Sequence, residues 1–206
     1  MPALNRSQTR IFLVVFVLFA ISISQAIWAA SSSHENEAVG VAAWEQVYSV
    51  LLSPRCINCH TATNYPQQGD DRHRHVANVV RGPEGKGVPG LNCVSCHQDR
   101  NADSTGVPGG SNWHLAPLSM QWQDINDRPL SSAAVCRALT DRSKNHNMDG
   151  AALLKHHSEE ALVLWAWSPG LRPDGSARTL PPMSHEDFVA ATRTWVGAGT
   201  PCPGGR

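Results

Sequence analysis

The sequence predicts a mainly α-helical domain with long irregular loops, and three observations lead there. Apolar residues recur at helical spacing just after residue 40 and again beyond residue 130. Between them, residues 61–130 are rich in Gly, Pro, Asn and Asp and carry no convincing period of 3.6 or 2. Finally, one pentapeptide pattern, Cys-x-x-Cys-His, occurs twice, at Cys56, Cys59 and His60 and at Cys93, Cys96 and His97. The 206 residues suffice for one compact domain. Seventeen basic and seventeen acidic residues cancel, which argues against a nucleic-acid surface or a polybasic membrane patch.

The N-terminus reads as an address. Arg6 and Arg10 precede the apolar run from Ile11 to Ile23, and small residues follow from Ser24 to Ala30, the three-part layout of an export signal. The expected signal covers 1–26, with alternative ends at 29 or 30, and the expected location is the periplasm. An uncleaved anchor is the alternative, since Ile11 to Ala30 approaches the ~20 residues that span a bilayer. Residues 27–40 are expected to form a flexible tail, and 41–206 the folded domain.

Within that domain Val41, Trp44, Val47, Tyr48, Leu51 and Leu52 form one helical face that Pro54 ends. Residues 41–130 thus deliver both Cys-x-x-Cys-His clusters, and 131–206 form a more regular helical part. There, Ser131 or Ser132 opens a helix with Val135 and Leu139 on one face. A short helix covers Ala151 to His157, and Ser158 caps another through Trp165 that Pro169 and Gly170 end. Ser184, with Asp187 three residues on, opens a last helix that stops at Gly197 or Gly199. No strand pattern is evident.

The paired clusters carry the chemistry. Thiols three residues apart on one helical turn reach the two vinyl groups of a single porphyrin, and the adjacent His presents its imidazole to the iron. With six Cys and ten His in the chain, even one such pattern arises by chance less than about one time in a hundred. The expectation is a dihaem cytochrome c, with two covalently bound c-type haems forming much of the core and replacing apolar side chains that residues 61–130 lack. A four-thiolate zinc ribbon is the competing reading of two CxxC pairs, but it leaves both His without a role, and exported thiolates tend to oxidise. A thioredoxin-like reading fails because no βαβ pattern surrounds either pair. Cys136 and Cys202 lie outside the clusters and, in an oxidising compartment, are expected to pair; two separate thiols are the alternative.

His60 and His97 are thus the expected proximal iron ligands, and the distal ligands decide what the irons do. In Arg72-His73-Arg74-His75, alternation in an extended run puts both His on one side and both Arg on the other, so that one His can ligate iron while Arg meets a propionate. His114 sits in an aromatic, Pro-stiffened loop placed to close over the second haem. His75 and His114 lead as distal candidates, with Met120 and His156 as alternates. Trp113, Trp122, Trp165 and Trp167 are read as pocket packing.

The segments Leu52-Ser53-Pro54-Arg55-Cys56-Ile57-Asn58-Cys59-His60, Gln68-Gly69-Asp70-Asp71, Trp113-His114-Leu115-Ala116-Pro117 and Leu162 through Gly170 together resemble a family of small bacterial dihaem cytochromes. Its members are often labelled isoquinoline 1-oxidoreductase subunits, and the likeness runs from about Val47 to Cys202. The resemblance implies single-electron transfer from a partner such as a periplasmic dehydrogenase, possible examples including molybdenum hydroxylases, toward the respiratory chain. The chain itself shows no molybdopterin domain and no plant-type iron–sulfur pattern. A small dihaem enzyme such as a peroxidase, with one open distal face, is the alternative function, although no acid–base set stands beside either cluster in sequence. A haem-based sensing or structural module is a third. No nucleic-acid partner is expected, and a membrane only through an uncleaved signal.

Overall fold

The computed structural model describes residues 34–205, so the expected export signal lies outside the described residues. Helix α1 covers 34–51 and includes residues 34–40, which the sequence places in a flexible tail. The difference has a physical cause. The buried stripe of α1 is Gly40, Ala43, Trp44, Val47, Val50 and Leu51, and its first member has no side chain to count as apolar. Gly40 is needed for close approach: a Cβ there would stand 2.5 Å from Ala198 Cβ and 2.5 Å from Pro201 Cγ. At the other end, Ser53 accepts from the Arg55 amide at 3.2 Å and Pro54 opens a one-turn helix, α2 (Pro54–Ile57). Pro54 therefore ends one helix and starts the turn that bears Cys56.

The structure is mainly helical with irregular regions. Beyond α2 come α3 (Cys93–Cys96), α4 (Ser132–Thr140), α5 (Gly150–Glu159), α6 (Ala161–Trp165) and α7 (His185–Gly197). Side chains of α1, α4, α5 and α7 make one apolar core, so the bundle draws on both ends of the chain. Trp44 packs on Trp195 with ring centres 4.8 Å apart, and its indole N–H donates to Ser132 Oγ at 2.8 Å. The Tyr48 hydroxyl donates to the Leu130 carbonyl, fixing the entry to α4. Burial of each large apolar side chain is worth ~1.5–3 kcal/mol, so this bundle is the scaffold against which the loops are set. Cys136 and Cys202 form a disulfide with Cα atoms 5.6 Å apart, joining α4 to the segment after α7.

Ser131 and Ser184 cap α4 and α7 as expected, accepting from Ala134 N at 3.3 Å and Asp187 N at 3.0 Å. Ser158 does not cap. It lies inside α5 and its hydroxyl donates back to the Leu154 carbonyl at 2.8 Å, while Asp149 caps α5 by accepting from Ala152 N at 2.9 Å. Extended backbone at Glu160 separates α5 from α6.

Two short antiparallel hairpins interrupt the loops, β1 (Gln67–Gln68) with β2 (His73–Arg74) and β3 (Gly87–Val88) with β4 (Leu91–Asn92). Two-residue strands are too short to show alternation in sequence. In the second hairpin Pro89 precedes Gly90 at φ +85°, the residue pair a type II turn requires, and β4 runs directly into α3. Arg81, only 7 % exposed, ties the loops together by donating to the carbonyls of Thr61 at 2.8 Å, Thr63 at 3.2 Å and Ala116. Its buried charge is thereby solvated by three main-chain acceptors.

Candidate functional site

The first cluster starts in α2 and continues its turn: the amides of Cys59 and His60 both donate to the Cys56 carbonyl, at 3.1 and 3.2 Å. Cys56, Cys59 and His60 edge a cavity of about 280 Å³ whose walls include Met120, His156 and Phe188. His60 Nδ1 donates to the Met120 carbonyl at 2.7 Å, and the ring lies parallel on Trp122, 3.4 Å between centres with planes 7° apart. A carbonyl only accepts, so the Nδ1 position holds the proton and Nε2 keeps its lone pair. Burial lowers the His60 pKa to about 3 against the opposing effect of the Met120 carbonyl, and His156, Arg81 and His114 nearby lower it further. Burial, then the neighbouring thiol, pushes Cys56 up to about 12. Both sulfurs of this cluster, half-buried like that of Cys93, are neutral thiols at ordinary pH.

The second cluster repeats the arrangement. α3 carries Cys93 and Cys96 on one turn, and the His97 amide donates to the Cys93 carbonyl at 2.9 Å. The three residues edge a larger cavity of about 500 Å³. His97 Nδ1 donates to the Pro108 carbonyl at 2.7 Å, and its ring lies parallel on Trp113 at 4.5 Å with planes 5° apart. His75 stands nearby, its centre 5.9 Å from that of His97 and the planes at 70°. His75 Nδ1 donates to the Val76 carbonyl at 2.6 Å, which again leaves Nε2 free. Cys96 is exposed and Cys93 half-buried, so this cluster is the more open of the two.

The two cavities share a wall made of Arg55, Cys59, Trp113, His114 and Trp165. Trp113 meets Trp165 edge-on at 4.8 Å, and the Trp165 indole N–H donates to Asn101 Oδ1 at 3.0 Å. The clusters are close enough that Cys93, after burial, contributes to pushing Cys59 up to about 11.

The distal candidates divide between the cavities. His75 faces His97. His114, expected over the second cluster, lies on the shared wall, donates Nδ1 to the Asn112 carbonyl, and adds to the lowered pKa of both His60 and His156. It therefore stands with the first cluster as well, because the 112–117 loop passes between the sites. His156 lines the first cavity from α5, with its pKa lowered by burial first and by His114 in part. Met120 also lines that cavity, but its main chain sits behind the His60 ring, on the Nδ1 side. Among the described residues, no three His, Cys, Asp or Glu side chains converge on a point that could hold a metal ion by themselves, so the four cluster thiols do not assemble a zinc ribbon.

Arg72 and Arg74 are occupied elsewhere, on the Asp127 carbonyl and over the Tyr65 ring at 4.6 Å. The cations at the larger cavity are Arg55, Arg172 and Arg178, which sequence reasoning did not select. Arg55 carried a signal, since it directly precedes Cys56; Arg172 and Arg178, more than seventy residues beyond the second cluster, carried none. The chain matches no family model, and no curated protein or solved structure is similar to it.

Proposed function

We propose that the chain is an exported dihaem c-type cytochrome that transfers single electrons, with one haem on Cys56, Cys59 and His60 and the other on Cys93, Cys96 and His97. One observation carries the reading. At both clusters a two-thiol turn and its histidine edge an apolar cavity, and both histidines are held the same way, by an Nδ1–H bond to a carbonyl and by a parallel tryptophan. Such a bond behind the ring is the usual support of a metal-ligating histidine. The cavities suit a ligand of porphyrin size, the larger lying within the ~300–1,000 Å³ of small-molecule sites and the smaller at its lower edge.

The separation of His75 and His97 supports the same reading. With Nδ1 committed to a carbonyl on each ring and 5.9 Å between their centres, the two imidazoles would hold the second haem with their free Nε2 atoms. We assign His75 as the distal ligand of the second haem. His114 is the leading distal ligand of the first, because it alone among the first cavity's alternates donates Nδ1 to a carbonyl; His156 and then Met120 follow. Bound haem supplies reversible one-electron chemistry. Around it the chain fixes both imidazoles and brings the two sites to a common wall. The Cys136–Cys202 disulfide supports an oxidising compartment such as the periplasm. A periplasmic dehydrogenase, in line with the resemblance to small bacterial dihaem cytochromes, is the proposed electron donor.

Electron paramagnetic resonance of the oxidised, haem-loaded protein tests the carrier reading. Two low-spin ferric signals are expected. A stoichiometric high-spin signal that disappears rapidly with peroxide would transfer the reading to a small haem enzyme.

A further inference from the structure

Asp70, in the turn between β1 and β2, is gripped from two sides. Arg55 pairs with Oδ1 and Arg172 with Oδ2, where Thr179 Oγ1 also donates at 2.6 Å. Arg178 completes the group, donating to the carbonyls of Gly106 at 2.7 Å, Pro169 at 3.1 Å and Leu171. All four charged residues line the larger cavity. Three guanidinium groups meet one carboxylate at the wall of an apolar space, and Asp103, near Arg178, offsets only part of the positive charge that remains. The Arg55 side chain is 4 % exposed, and its buried Nε has no hydrogen-bond partner. Burial lowers the Arg178 pKa, and repulsion by Arg55 and Arg172 lowers it further. Buried charge of one sign is costly unless an opposite charge arrives, and the guanidinium fork matches a carboxylate.

We infer that Arg55, Arg172 and Arg178 seat the two propionate carboxylates of the porphyrin bound in the larger cavity, with Asp70 holding the arginines in place. This rests on the haem reading above. The propionates would answer the positive charge that Asp70 and Asp103 leave uncompensated, and among the described residues these three arginines are the cations that line this cavity. Arg55 also lines the smaller cavity and directly precedes Cys56, so the seat links the second haem's acid groups to the first haem's attachment turn. The other titratable groups at the larger cavity are His73, His75, His97 and His114 with the Cys59, Cys93 and Cys96 thiols, and Asp103 acts on Arg178 from the loop after the second cluster.

The test uses the haem-loaded protein and its Arg172→Gln, Arg178→Gln and Arg172→Lys variants, with haem per chain measured on each by the alkaline pyridine spectrum. Removing a positive charge beside the propionates favours the oxidised form and makes the propionates easier to protonate. Each Gln variant should therefore lower the potential of one haem, leave the other nearly unchanged, and move the pH dependence of that potential upward. Arg172→Lys should restore most of both effects. Two haems per chain with potentials and pH dependence unchanged in both Gln variants would overturn the seat while leaving the haem reading intact. A shift that Lys does not rescue also overturns it, since a merely structural arginine would behave that way. Absence of haem from the unmutated protein would overturn the reading beneath it.

Discussion

Four histidines, His60, His75, His97 and His114, donate Nδ1–H to a main-chain carbonyl, and this small device decides that Nε2 keeps its lone pair. Under the proposed function, His75→Ala should turn one haem high-spin and leave the spectrum of the other unchanged, and His114→Ala should do the same to the first. An unaltered absorption spectrum in His75→Ala contradicts the assignment across the larger cavity; in His114→Ala it passes the role to His156 or Met120. His157, beside His156, serves the scaffold instead. Its Nδ1 donates to Thr192 Oγ1 at 3.0 Å, which itself donates to the Phe188 carbonyl, and burial first, then His156, His60 and His185, lowers its pKa to about 3. An unfolded histidine titrates near 6.5, so between those values the unfolded chain binds a proton that the folded chain refuses. Stability from this group is complete above about pH 6.5 and falls as the pH drops toward 3. His157→Gln should therefore flatten the acid limb of the stability profile by on the order of 2 kcal/mol between about pH 7 and 4.5, measured by denaturant unfolding. Equal slopes in the two proteins would show that other groups set the acid limb.

At the scale of elements, helices with a cap and an apolar face were legible, as at α4 and α7, because both signals lie within one turn of the chain. Elements that depend on a distant partner were not. The buried stripe of α1 begins at Gly40, packed against Ala198 and Pro201, and no local pattern announces a contact made by a missing side chain. The break at Glu160 was displaced to Ser158 because a serine inside a helix and a serine capping one look alike until its hydroxyl is seen to donate to Leu154. The disulfide was legible by elimination and compartment, and it lies in the bundle with α1 and α7, with neither cysteine lining either cavity. Cys136→Ser should cost about 2–5 kcal/mol, read as a lower thermal midpoint, with haem per chain unchanged. Loss of haem in that variant would mean that the bundle and the cavities do not behave as separable parts.

Across the whole molecule, a helical bundle made from both ends of the chain carries an irregular middle that the bundle alone does not fill. The two Cys-x-x-Cys-His clusters were readable because their geometry is set over five consecutive residues. His75 and His114 were readable as candidates, but the cavity each would line was not, since both reach the cavities through loops whose course is set by Arg81 on three carbonyls and by two hairpins of two-residue strands. Nor was the grouping of the three arginines at the larger cavity readable, since they come from α2 and from loop residues more than one hundred positions later. Polar loops around two apolar cavities leave a fold short of internal apolar contacts in its middle, and under the proposed function two covalent porphyrins would supply them. The central claim is thus covalent dihaem attachment, and intact-mass measurement on protein matured in an exporting host tests it most directly. The predicted result is the chain plus two haem masses, stable to acid and organic solvent, with two irons per chain; the bare chain mass, or stoichiometric zinc without haem, would contradict it.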